Sequence, residues 1–350
     1  MKKIFFSAFL ISLTFISLAQ DYLDLVKFTH THIPSVKLKD YNSSSPNTSV
    51  TQTKISTSLP VKLNESSVFL TGIDYELHRV QLLFKPSFYG FNSVSVLSED
   101  STQETWVGAE DYQQRGDPSS PSDLHMTTLK LGFNKKHNNK LSGTYLALPK
   151  IASPFVYLKN SFQIGAIALW KYKFNDQTKL IFGNYINKEF FGILNVPILG
   201  VYHKSKNEKA EVDIKFPITG FGDYKIHKNI RIGADFLLIV RTFNLVSFEV
   251  SSLAGSSLFV DEDYDYEGEA YVHTSSNEIA AYFQLDLFKE SLIIKLKGVY
   301  SMYDYSVFAD HDKTPFGMLG WYPGDQRTPL NYSMSNALGF KISALYRFHL

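Results

Sequence analysis

The sequence predicts an all-β protein: a transmembrane, antiparallel, up-and-down β-barrel of about 14 strands. Three observations predict it. Segments in which apolar and polar residues alternate with a period of two recur along the chain, and such alternation marks strands with one apolar and one polar face. The connections between them fall into a short class and a long class. The last segment alternates from Leu338 to Leu350 and carries aromatic residues on its apolar face.

The chain opens with a segment that reads as an export signal. Lys2 and Lys3 precede the apolar stretch Ile4 to Leu18, and Ser17-Leu18-Ala19 offers small residues for cleavage before Gln20. The stretch is short for a spanning helix, which needs about 20 residues. The expected division is therefore a cleaved signal at 1–19 and one barrel domain at 20–350, with 20–49 fitting a first strand, a plug or a tail. Beyond Gln20 no run of 18 apolar residues occurs, so helical spans are excluded. There is no cysteine, which excludes disulfides and acylation on cysteine. With 28 Phe and 21 Tyr, 20% charged residues and a net charge of +1, the chain is neither disordered nor a binder of nucleic acid.

Alternation locates the strands. Phe162, Ile164, Ala166, Ala168, Trp170, Tyr172 and Phe174 face away from Gln163, Gly165, Lys171 and Lys173. Ala210, Val212, Ile214 and Phe216 alternate with Lys209, Glu211, Asp213 and Lys215. Ile230, Ile232, Ala234, Phe236, Leu238 and Val240 alternate with Arg231, Gly233, Asp235 and Arg241, although Leu237 and Ile239 blur the polar face. Leu292, Ile294 and Leu296 alternate with Lys295 and Lys297, and Ile55, Leu59, Val61 and Leu63 with Lys54, Ser56, Ser58 and Lys62. The resulting strands are 23–38, 50–63, 67–79, 124–136, 140–148, 161–174, 178–187, 194–205, 209–217, 221–226, 230–244, 271–288, 292–305 and 335–349. Omitting 23–38, which contains Pro34, and the short 221–226 would leave 12.

Between strands, polar turns sit at Asn64–Ser66, His137–Asn139, Asn175–Gln177, Lys206–Glu208, His227–Asn229 and Lys289–Ser291. Longer connections are expected at Leu83–Asp123, Leu148–Lys159, Val246–Glu269 and Phe308–Ser333. Turns on one side and loops on the other is the outer-membrane pattern, with turns and both termini periplasmic. Phe162, Tyr172 and Phe174, near strand ends, suit an interfacial girdle.

In the final strand Leu338, Phe340, Ile342, Ala344, Tyr346, Phe348 and Leu350 share one face, and Gly339, Lys341, Ser343, Arg347 and His349 the other. This resembles the terminal signal, ending in Tyr-x-Phe, that outer-membrane proteins present to their assembly machinery. His349-Leu350 beyond the aromatic depart from it. The resemblance implies two partners, the assembly machinery and outer-membrane lipid.

Leu70-Thr71-Gly72-Ile73-Asp74-Tyr75, Gly183-Asn184-Tyr185, Phe190-Phe191-Gly192, Val196-Pro197-Ile198-Leu199-Gly200, and Pro217 before Tyr224-Lys225 resemble segments of uncharacterised bacterial outer-membrane barrels of the domain-of-unknown-function type. Fourteen-stranded fatty-acid channels are a distant analogue. The resemblance implies a barrel and an outer membrane, and brings neither an activity nor site residues.

A charge facing lipid at mid-depth costs about 2–4 kcal/mol, so the polar face is expected to point into the lumen. That assigns Lys171, Lys173, Glu211, Asp213, Arg231, Asp235, Arg241, Asp286, Lys295, Lys297, Lys341 and Arg347 to the interior, either as ion pairs filling it or as a polar path. Three other groupings point to no site. Asp261, Glu262, Asp263, Asp265, Glu267 and Glu269 lack EF-hand spacing and read as a solvated loop. Asp310-His311-Asp312 are neighbours, whereas acid–base partners converge across a fold. His30 and His32 share a face with no third metal ligand. Nucleotide, nucleophile and zinc-protease motifs are absent, and no cofactor is implied. The expectation is a non-enzymatic barrel, a channel for small solutes or a structural component. The alternative is a barrel enzyme acting on lipid or peptide at the cell surface.

Overall fold

The computed structural model describes residues 22–39, 48–83, 95–96, 105–106, 119–154, 160–248, 268–318 and 321–349. The expected signal, most of the segment between Leu83 and Ser119, and the acidic stretch 261–267 lie outside the described residues.

Fourteen antiparallel strands close into a barrel. In chain order they are β1 (Tyr22–Val36), β2 (Thr48–Thr57, continued by Leu59–Asn64), β3 (Ser67–Leu83), β4 (Ser119–Lys136), β5 (Leu141–Ser153), β6 (Phe162–Lys173) and β7 (Thr178–Glu189). Then follow β8 (Gly192–Lys204), β9 (Ala210–Phe216), β10 (Thr219–His227), β11 (Ile230–Phe248), β12 (Gly268–Leu287), β13 (Leu292–Ala309) and β14 (Ala337–His349). Each strand pairs with its neighbours in sequence, and β1 closes the ring against β14 through pairs such as Phe28↔Ala344 and His32↔Phe340.

Both segments that sequence alone marks as weakest are strands. In β1, Pro34 lies where the register with β2 shifts between Ile33 and Val36, so its missing N–H interrupts no regular ladder. β5 runs through Pro149, paired with Ile164, to Ser153, where a connection was expected from Leu148. β3 and β4 stay paired out to Leu83↔Ser119, and β13 continues to Ala309, so the long connections are shorter than their polar composition suggests.

The turns at one end are made by asparagine. Asn138 Oδ1 accepts the N–H of Lys140 at 2.8 Å and of Leu141 at 2.9 Å, and Asn175 Oδ1 accepts those of Gln177 and Thr178 at 2.9 and 2.7 Å. Asn64 and Asn207 do the same for Ser66 and Lys209. A side chain that stands in for a backbone acceptor reverses the chain without a long loop.

At the opposite end the connections are of mixed length. β7–β8 and β9–β10 are joined by Phe190–Phe191 and Pro217–Ile218 alone. Gly192 closes the first of these with φ +147°, where a side chain is strained and a Cβ would meet the Thr314 carbonyl oxygen at 2.1 Å.

Polarity is inverted relative to a soluble domain. On β14, Leu338, Phe340 and Ile342 are 74%, 54% and 40% exposed, while Lys341 and Ser343 between them are 7% and 5% exposed. The same split runs round the ring: Val26, Phe28, Ile55, Ile73, Phe133, Ile164, Phe182, Leu199, Ile232, Ile279 and Leu296 are exposed, and Glu76, His78, Gln163, Arg231, Glu278 and Asp286 are buried. On β6 the exposed aromatic rings Phe162 and Phe174 bracket the strand. Its 12 residues, at about 3.3 Å each and tilted by about 40°, cover about 30 Å, near the thickness of a hydrocarbon layer.

Candidate functional site

The interior is the candidate site, and strand lengths divide it. β9 and β10 have 7 and 9 residues, whereas β11, β12 and β13 have 19, 20 and 18. β10 accompanies β11 only as far as Thr219↔Leu237, with a last bond from Leu238 N to Ile218 O. Beyond that point β11 has an edge with no strand partner among the described residues, which costs free energy unless its polar groups find partners.

The strand resolves this by folding inward. Arg241, Thr242, Phe243, Asn244 and Leu245 are all buried in succession, as are Ala270 to Thr274 on β12, so both faces of these tips are covered. The tip of β11 comes against β4 and β5 across the ring. There Gln163 Nε2 on β6 donates to the Thr242 carbonyl oxygen at 2.9 Å, and Phe190 N donates to Thr242 Oγ1 at 3.0 Å. Thr242 Oγ1 donates to Glu189 Oε2 at 2.6 Å, and Lys150 Nζ donates to Glu189 Oε1 at 2.9 Å, both charges being buried.

Apolar packing fills the end of the barrel around these tips. On one side Ile33, Val50, Val80, Leu82, Leu124, Met126, Phe243, Val272, Tyr305 and Val307 form one cluster with Met334 from the β13–β14 connection. On the other, Phe191, Leu194, Val196, Val240, Tyr271 and Phe308 form a second, with Ile218 and Tyr322 against it. Tyr322 and Arg327 hold the connection down. Arg327 Nη1 donates to Tyr271 OH at 3.1 Å, its guanidinium lies 4.5 Å over the Phe308 ring, and its Nη2 donates to Asp325 Oδ2 at 2.8 Å. The Asp325 carboxyl is held below its ordinary range, chiefly by these hydrogen bonds from Arg327.

Below the apolar plug the inward face is ionic. Glu76 on β3 is a hub: Lys54 Nζ donates to Oε1 at 2.7 Å, Arg241 Nε reaches Oε2 at 2.6 Å, and His78 Nε2 lies 3.4 Å from Oε2. β3 and β11 are far apart round the ring, so the Glu76–Arg241 pair crosses the enclosed space. Lys54 and Lys130 share Asp74 at 3.3 and 2.6 Å. Glu278 on β12 pairs with Lys341 on β14 and accepts Tyr303 OH at 2.5 Å. Nearer the short turns Arg231 gathers Asp223 (2.9 Å), Asp286 (3.4 Å) and Glu211 (3.8 Å). Lys297 pairs with Asp235, and Lys295 Nζ stands 4.3 Å over the Tyr282 ring.

Of the twelve residues singled out by alternation, Glu211, Arg231 and Asp286 come together, as do Asp235 and Lys297. Asp213 pairs with Lys215 at 2.6 Å, and Arg347 with Asp24 at 2.6 Å. Lys173 binds Asp176 in the adjoining turn at 2.6 Å and sits at the rim, and Lys171 makes no ion pair among the described residues. Sequence reading missed Asp74, Glu76, His78, Lys130, Lys150, Glu189, Asp223 and Glu278, and it placed Lys54 on a polar face without assigning it to the interior. Asp74, Glu76 and His78 were within reach of the same argument, because they alternate with Ile73, Tyr75 and Leu77.

The histidine groupings have partners close by, and the acidic stretch 261–267 lies outside the described residues. His30 Nδ1 and His32 Nδ1 are bonded to Thr53 and Thr51 hydroxyls at 3.0 and 3.2 Å. His311 is solvent-exposed and 3.9 Å from Asp312, while Asp310 pairs with Lys313 at 3.1 Å. Among the described residues no group of three His, Asp or Glu side chains is placed to hold a metal ion.

No family model and no curated protein matches the chain. Among solved structures it is similar to the Pseudomonas putida toluene transporter TodX, at 10% identity and a TM-score of 0.38, over 95% of this chain and 91% of that one. A NanC porin structure aligns at 7% identity and a TM-score of 0.34, over 92% and 98%. The CymD monoaromatic hydrocarbon channel aligns at 11% and 0.30, over 93% and 89%. Scores this low carry neither a residue correspondence nor a substrate.

Proposed function

We propose that the chain is an outer-membrane barrel that passes small polar solutes, held here in a state closed at the end opposite the short turns. One observation carries the reading: apolar side chains cover the outside and ionised ones line the inside. A soluble barrel with that arrangement would hold exposed Phe and Leu in water and buried charges in its core, which folding does not favour. In a bilayer both faces sit in their preferred surroundings, and closure leaves no strand edge to the lipid. The barrel then carries its short turns and both termini on the periplasmic side, and β14 is the strand offered to the assembly machinery.

The purified full chain in planar bilayers should show conductance, and liposomes containing it should swell with small sugars or amino acids. A barrel silent in both assays, even in variants loosened at the plug, would sink the channel reading. Because the chain has no native cysteine, Asp310→Cys and Asn138→Cys give single labels on opposite ends. Only Asp310→Cys should react with an impermeant maleimide on whole cells, and the reverse would overturn the orientation.

A further inference from the structure

The interior charges do not balance. The inward carboxylates Asp24, Asp74, Glu76, Glu211, Asp213, Asp223, Asp235, Glu278 and Asp286, and Glu290 in the adjoining turn, each lie within 4.0 Å of a lysine or arginine nitrogen. Four inward lysines, Lys27, Lys171, Lys179 and Lys295, make no ion pair among the described residues. Their facing follows from the ladders. Lys27 pairs with Leu345 on β14, the parity of buried Ser343 and Lys341, and Lys171 pairs with Ile181 on β7, which is buried.

These four cations occupy two poles. Lys27 and Lys295 lie on β1 and β13, either side of β14. Lys171 and Lys179 lie on β6 and β7, half the ring away. Lys27 also stands within electrostatic reach of Lys54, Lys297 and Lys341, three lysines that already hold carboxylates, and of Asp235, which Lys297 binds. Its side chain is exposed although it points inward, so the basin on the turn side admits solvent. Lys295 is braced from below by the faces of Tyr282 and Phe221 at 4.3 and 5.3 Å, and Lys179 by Tyr202 at 5.2 Å. Amines braced on aromatic faces, with no carboxylate within 4.0 Å among the described residues and outnumbering the carboxylates near them, favour a mobile anion, and charged rings of one sign set the selectivity of a pore.

We propose that the turn-side basin is a binding and selectivity site for small anions bearing carboxylate or phosphate oxygens, with Lys27 and Lys295 as its principal ligands and Lys171 and Lys179 as the opposite pole. The inference rests on the channel reading for its role in passage, while anion binding stands without it.

Two measurements on the purified full chain separate the two. In a potassium chloride gradient across a planar bilayer, the reversal potential should take the sign set by chloride. Lys27→Gln with Lys295→Gln should move it toward zero, and Asp235→Asn, which frees Lys297, should move it the other way. Cation preference in the native chain, or a potential indifferent to all three changes, overturns the proposal. In a barrel that conducts nothing, calorimetric titration with inorganic phosphate decides. Binding that is weakened at higher salt and lost in the double variant upholds the site while the channel reading fails, and no binding overturns the site. Arms with phosphate and acetate identify which oxyanion the basin prefers, and a chloride arm shows whether oxygen is needed at all.

Discussion

Replacing Glu76 by Gln tests whether the cross-ring network pins the inward tips. Glu76 is the acceptor shared by Lys54 and Arg241, and all but its edges are buried. Lys54 keeps Asp74 at 3.3 Å when Glu76 is neutralised. Arg241 keeps no carboxylate, and its Nη1 already lacks a hydrogen-bond partner among the described residues. Breaking a buried pair so that one charge stands uncompensated costs about 3–5 kcal/mol. The converse change, Arg241→Gln, leaves Glu76 with Lys54, so its cost approaches that of one charged hydrogen bond, about 1.5–3 kcal/mol. The two changes together remove both members, and their coupling should fall between about 0.5 and 3 kcal/mol. Urea unfolding in detergent, followed by far-UV circular dichroism and by heat-modifiable mobility, measures all three variants. Equal costs for the two single changes, or strict additivity in the double, would refute the reasoning that Arg241 depends on Glu76 alone.

Three further outcomes follow from the same geometry. Ile342→Arg places a charge on the outward face near the middle of β14 and should cost about 2–4 kcal/mol, whereas Lys27→Gln, on a solvent-exposed inward side chain, should stay within about 0.5 kcal/mol; the yield of folded barrel from outer membranes compares them. Thr242→Val removes the hydroxyl that Glu189 and Phe190 both use, so it should loosen the β11 tip and raise single-channel open probability without changing barrel recovery. The Asp325–Arg327 clasp should release only in acid: the folded carboxyl sits below its ordinary value, so its contribution is complete above about pH 4 and disappears as pH falls through that lowered value. Protease cleavage after Arg327, rare from neutral pH down to pH 5, should become fast in Arg327→Lys/Asp325→Asn, and cleavage already fast at neutral pH in the native chain would contradict the clasp.

The barrel was legible because its governing constraint is local. A strand between lipid and an ionic interior must alternate residue by residue, and Leu338 to Phe348 or Phe162 to Phe174 show that pattern without reference to anything distant. The asparagine turns were legible for the same reason, since Asn138 and Asn175 bond to backbone within three residues. Pairing inside the lumen was not. That Arg231 meets Asp286 as well as its hairpin neighbour Asp223, or that Lys341 meets Glu278, depends on the register of strands distant in sequence. The excess of lysine was hidden too, because only the pairing shows which cations are left over.

The inward tips of β11 to β13 mark the point where alternation itself stops being informative. Leu237 and Ile239 already blur the polar face of β11, and Thr242, Phe243 and Asn244 are buried whichever way they point. The cause is a mismatch in length: β9 and β10 end at Pro217–Ile218 while their neighbours continue. The notch so made leaves two open edges, one on β8 and one on β11. On β8, Ile193 and Leu194 are capped in parallel by Phe316 and Gly317. On β13, which outruns β14, Asn331 plays a strand's part, accepting Val307 N at 2.8 Å and donating to the Tyr305 carbonyl oxygen at 2.6 Å. Among the described residues β11 receives no such strand neighbour and turns into the mouth instead, where Gln163 and Glu189 meet it. The plug is thus wall that has lost its neighbour. It is held by apolar packing and by polar contacts around Thr242 and Glu76 rather than by a continuous ladder.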